Sequence, residues 1–103
     1  LTTRVHSGVY LNREIYRDCD KIKSIASSNG VSRNTKAEIY IGKDAKGEKI
    51  AEIDYSNAWQ SDSLWSRKIV EGKMLRTLKP GTYDFYIRWS GGGTTTSYAL
   101  AFY

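Results

Sequence analysis

The chain has 103 residues, 40% hydrophobic and 26% charged, with a formal net charge of +5. That length suits one domain around one modest core. There is no apolar run long enough for a transmembrane helix, and the single cysteine, Cys19, excludes an internal disulfide and a cysteine-based zinc site. A start at Leu1 rather than Met fits a processed, secreted protein.

In chain order, Val5, Ser7, Val9 and Leu11 alternate and predict a first strand. Residues 13–28 admit two readings. Ile15, Cys19, Ile22 and Ala26 fall at helical spacing, and Asn29-Gly30 would end a helix. Ile22, Ser24 and Ala26 also alternate as in a strand, so a short helix here stands as the alternative. From Lys36 the strand period returns, with Ala37, Ile39 and Ile41 on one face and Glu38 and Tyr40 on the other. A polar turn over Gly42 to Gly47 leads into a return strand carrying Ala51, Ile53 and Tyr55 on one face.

Ser56 to Ser63 reads as a loop holding Trp59, with Trp65 just after it, and Met74, Arg76 and Leu78 follow a turn or bulge at Glu71-Gly72. Leu78-Lys79-Pro80-Gly81 is a β-turn signature: Pro presets φ and Gly supplies the conformation that follows. Tyr83, Phe85, Ile87 and Trp89 then face one way, and Asp84, Tyr86 and Arg88 the other. After Gly91 to Gly93, the residues Tyr98, Leu100 and Phe102 restart the period, which reads as a closing hairpin. About seven short strands predict a single all-β domain over 1–103, an antiparallel β-sandwich with a jelly-roll or Greek-key path.

The run Leu78 to Tyr83, then Phe85-Tyr86-Ile87-Arg88, the glycines and Ser97-Tyr98-Ala99-Leu100 resembles the closing hairpin of bacterial pre-peptidase C-terminal domains. Ala37 to Asp54 is similar to the middle hairpin of that family, and Asp18-Cys19-Asp20-Lys21-Ile22 echoes its early Asp-x-Asp. The resemblance covers roughly residues 18–55 and 75–103. It implies an exported bacterial β-sandwich whose relatives bind extracellular matrix, polysaccharide or a partner domain.

The residues carry little catalytic chemistry. His6 is the sole histidine, and neither Cys19 nor any serine lies in a nucleophile motif. A small basic ribonuclease would have to pair His6 with Glu14 or Glu38, and nothing in the spacing singles out either pair. The carboxylate pairs Asp44/Glu48 and Glu52/Asp54 are equally unspecific for glycoside hydrolysis, and Asp44/Glu48 offers at most a weak calcium contact. The expectation is a non-enzyme with no cofactor and no metal.

For binding, Trp59 and Trp65 bracket Gln60 and Asp62 in a polar loop, a combination that stacks sugar faces and bonds their hydroxyls. Tyr55, Asn57, Tyr40 and Tyr86 would extend that platform. The basic excess lies in the first half, where residues 1–51 hold ten basic and six acidic side chains. Arg13, Arg17, Lys21, Lys23, Arg33 and Lys36 form a candidate polyanion patch there. The expected partner is an extracellular polysaccharide or cell-wall polymer. A protein partner, as for a toxin-like effector, and single-stranded nucleic acid are the alternatives.

Overall fold

The computed structural model describes residues 4–18, 22–27, 30–31, 36–54, 68–90, 93–94 and 97–102. Nine antiparallel strands occur among them: β1 (Arg4–Leu11), β2 (Ile22–Ser27), β3 (Gly30–Val31), β4 (Lys36–Ile41), β5 (Lys49–Asp54), β6 (Lys68–Met74), β7 (Gly81–Ser90), β8 (Gly93–Thr94) and β9 (Ser97–Phe102). Seven make one sheet in the order β1-β7-β4-β5-β6-β2-β9, and β3 pairs with β8. The sheet curls until its ends face each other: the rings of Phe85 on β7 and Phe102 on β9 lie 5.0 Å apart. The result is a β-sandwich, as the strand spacing predicted.

The fold of the sheet lies at β6. Only Ala51 and Glu52 of β5 pair with it, through Met74 and Lys73, while Lys68 to Gly72 pair with β2. Gly72 stands at this changeover because a side chain has no room. A Cβ there would overlap Cγ1 of Ile53 and approach the Glu52 carbonyl oxygen to 2.8 Å. The turn or bulge expected at Glu71-Gly72 is therefore continuous strand, with glycine kept for close packing.

Ile39, Ile50, Ile53, Met74, Leu78, Phe85 and Ile87 form the core together with Ile22, which comes from the opposite layer. Ile22 to Ser27 are strand, flanked by β6 and β9, and residues 13–18 form a bend and turn pinned by backbone bonds between Ile15 and Leu78. The helical reading of 13–28 is thus replaced among the described residues. The coincidence of a 3.6 and a 2.0 period over a few apolar positions was resolved by two neighbouring strand edges that needed partners.

Two other readings need correction. The last two long strands are not a hairpin: β7 pairs with β1 and β4, and β9 pairs with β2 in the facing layer. β1 also does not alternate throughout. Its register with β7 shifts between His6 and Val9, where Gly8 takes φ of 66° and its N–H donates to Asp84 Oδ1 at 2.9 Å. This bulge changes the phase, so Val5 is exposed while Val9 and Leu11 pack inward. The β4–β5 hairpin stands as expected, with its own shift after Ile39. That shift turns both Ile50 and Ala51 inward and leaves Lys49 outside, opposite Tyr40.

Candidate functional site: a charged groove on the outer sheet face

Direct cross-strand partners share a face of a sheet, so the register of four strands defines its outer surface. Glu38 lies opposite both Glu52 and Arg88; Lys36 opposite Asp54 and Ser90; Tyr40 opposite Lys49 and Tyr86; and Glu52 opposite Lys73. This face holds an open groove of about 600 Å³, lined by Lys36, Glu38, Lys49, Glu52, Asp54, Glu71, Lys73 and Ser90, with buried Ile53 and Gly72 beside them. The groove lies where β5 and β6 part after their two paired residues.

Glu38 is its electrostatic hub. Its Oε1 accepts from Nε and Nη2 of Arg88 at 3.2 and 3.0 Å, and its Oε2 accepts from Lys49 Nζ at 3.3 Å and from the Tyr40 hydroxyl at 3.3 Å. Arg88 Nη2 also donates to the Tyr40 hydroxyl at 2.7 Å, and Lys49 reaches Glu52 at 3.5 Å. Burial alone pushes the Glu38 carboxyl up, but hydrogen bonds from Arg88 and Lys49, with their charges, outweigh it and hold the pKa below its ordinary value. The hydrogen bond to Glu38 raises Lys49 in turn, against the opposing effect of burial. The two-pronged Arg88 contact and the Tyr40 bond hold these groups in fixed positions, so the face presents donors and acceptors at set spacings.

Of the expected sugar-site residues, Tyr40 and Tyr86 are described and lie side by side on this face. Tyr40 is 7% exposed, its ring edge-on to Tyr86 at 6.0 Å and 5.2 Å from the Arg88 guanidinium carbon. It is therefore a buttress of the network with little open face to offer a ligand, whereas Tyr86 is half-buried at its rim. Trp59, Gln60, Asp62, Trp65, Tyr55 and Asn57 lie outside the described residues. Their segment joins the end of β5, where Asp54 lines the groove, to the start of β6.

Of the basic residues, Arg13 and Arg17 lie beside the Ile15–Leu78 bridge, near the first residue of β7, while Lys36 pairs with the last, Ser90. Nine steps of strand separate those ends, about 30 Å. Lys23 bridges to Glu71 at 3.5 Å; Lys21 and Arg33 lie outside the described residues. The described members are thus spread along the sheet, and of those four Lys36 alone lines the groove.

Of the catalytic pairings, His6/Glu38 is separated and Asp44/Glu48 is engaged at its turn, while Glu52 and Asp54 both line the groove. His6 lies opposite Phe85 and so on the inner face, whereas Glu38 is on the outer face, so the two have the sheet between them. Burial, helped by the charge of Arg4, lowers the His6 pKa. Asp44 Oδ1 accepts from the Lys46 N–H at 2.9 Å, and Glu48 bridges to Arg76 at 2.8 Å, so each already has a partner at the turn. No group of three or more potential metal ligands occurs among the described residues.

The groove residues Glu38, Lys49, Glu52, Asp54, Glu71 and Lys73, and Arg88 that holds Glu38, were not among the expected binding residues. Their signal was present: they occupy the non-core positions of strands that turn out to be neighbours. No family model and no curated protein matches the sequence. Among solved structures, the fold is similar to that of a β-1,3-glucan binding CBM6 from Bacillus halodurans, with a TM-score of 0.57 and 18% identity. The match covers 95% of this chain and 63% of that one, so the chain spans under two thirds of its neighbour's length.

Proposed function

We propose that this chain is a non-catalytic, secreted polysaccharide-binding domain that takes an extracellular or cell-wall glycan in the groove across β4, β5 and β6. The observation that carries this reading is the row of oriented carboxylates and ammonium groups along an open, 600 Å³ outer-face groove. Sugar hydroxyls both donate and accept, so a surface offering both in fixed positions suits them. Tyr86, half-buried on the same sheet face beside Tyr40, adds an aromatic ring for a pyranose face. The fold shared with a β-1,3-glucan binding protein supports the same reading.

Retention on insoluble β-glucan, xylan, chitin and cell wall tests it. Glu38→Gln and Tyr86→Ala, if still folded, should each weaken retention by about tenfold, or about 1.4 kcal/mol. Trp59→Ala tests in parallel whether the β5–β6 connection contributes. Unchanged retention in both variants would move the site elsewhere.

A further inference from the structure

The charges in the groove are not all balanced in the same way. Glu38 is paired with Arg88 and Lys49, Glu52 with Lys49, and Glu71 with Lys23; Asp54 is also engaged. Two of these cations, Arg88 and Lys23, reach in from outside the groove lining. By contrast, Lys36 and Lys73 both line the groove, both are exposed, and neither has an ion pair with another described residue.

We propose that the groove takes an acidic polysaccharide, with carboxylates of its uronate residues paired to Lys36 and Lys73. The inference rests on the polysaccharide reading above and narrows it. Lys36 lies opposite Asp54, and Lys73 opposite Glu52, so the two lysines are two strands apart and two residues out of step. That is about 10 Å across and about 7 Å along the sheet, or roughly 12 Å between backbones. Their side chains can converge on one carboxylate or hold two on nearby sugar units. Between them, Glu38 and Glu52 are held by internal cations, so they can accept hydroxyl protons with their charge already offset. The chain's net charge of +5 adds a long-range attraction for an acidic polymer.

The test is affinity at 0.15 M salt, where separated charges are screened beyond about 8 Å. Polygalacturonate, a neutral β-glucan, polyglutamate and single-stranded DNA serve as probes for the wild type and for Lys36→Gln/Lys73→Gln. The expected result is preference for polygalacturonate, reduced by about tenfold in the double variant, with a smaller loss on neutral glucan and thermal stability unchanged. Neutral glucan bound as well as polygalacturonate would overturn the acidic-ligand inference and leave the polysaccharide reading standing. Polyglutamate or DNA bound as tightly as polygalacturonate would overturn both, since charge without a sugar would suffice. Binding to no polysaccharide would also overturn both.

Discussion

Gly72 offers the sharpest test of how this sheet folds over. In Gly72→Ala the new methyl would overlap Ile53 Cγ1 and come within 2.8 Å of the Glu52 carbonyl oxygen and 3.3 Å of Ile53 Cβ. Ile53 is buried and cannot swing away, and Glu52 is one of two β5 residues paired to β6. Relief therefore requires parting β5 from β6. Overpacking of this kind costs about 1–3 kcal/mol, and contact with main chain on one side puts the site near the top of that range. Against it stands about 0.4–1 kcal/mol from the reduced freedom of the unfolded chain. The net is a loss of about 2 kcal/mol, or about 8–16 °C in Tm for a domain of this size.

Urea denaturation followed by tryptophan fluorescence would read the loss as a lower midpoint at unchanged slope. Ile53→Ala, costly alone at about 2–5 kcal/mol, opens the space that the methyl introduced by Gly72→Ala would occupy. The double variant should therefore be more stable than the sum of the two losses by about 1 kcal/mol. A Gly72→Ala protein melting within about 2 °C of wild type, or strict additivity in the cycle, would refute the close approach of β5 and β6.

Four further outcomes are expected. Because its folded pKa is depressed, Glu38 contributes stability that is present above its ordinary value of about 4.3 and lost as pH falls through the lowered one; Glu38→Gln should flatten that acid limb in a pH series of melting temperatures. His6 is also depressed, so its contribution is full above about pH 6.5 and declines below it; His6→Gln should remove this mildly acid part of the profile and leave the lower one. Phe85→Ala should cost about 3–5 kcal/mol in urea, since Phe85 touches both Tyr83 and, across the layers, Phe102. By comparison, Gly8→Ala, which forces a side chain into φ of 66°, should cost about 1 kcal/mol.

The class of the fold was legible because alternation is a local property. Phe85 and Ile87 on one side, with Tyr86 and Arg88 on the other, need only the two-residue period of a strand and a core to face. The β4–β5 hairpin was equally legible, since its turn chemistry lies between its strands. The phase change in β1 was not foreseen, although its cause, Gly8, is in plain view. A glycine becomes a bulge only when the partner strand supplies the geometry, here with Asp84 accepting its N–H.

Sequence by itself determined that this chain builds strands, where most of them lie, and which side of β4, β5 and β7 faces the core. Only the tertiary structure decided which strands are neighbours: β7 chose β1 and β4, and β2 went between β6 and β9. Backbone hydrogen bonding is nearly indifferent to partner identity, so pairing is settled by how the whole sheet can curl and bury Ile22, Phe85 and Phe102 together. The groove is a product of that pairing. Lys36, Glu38, Glu52, Lys73 and Arg88 are scattered over half the sequence, and they share one face because four strands bring them into register.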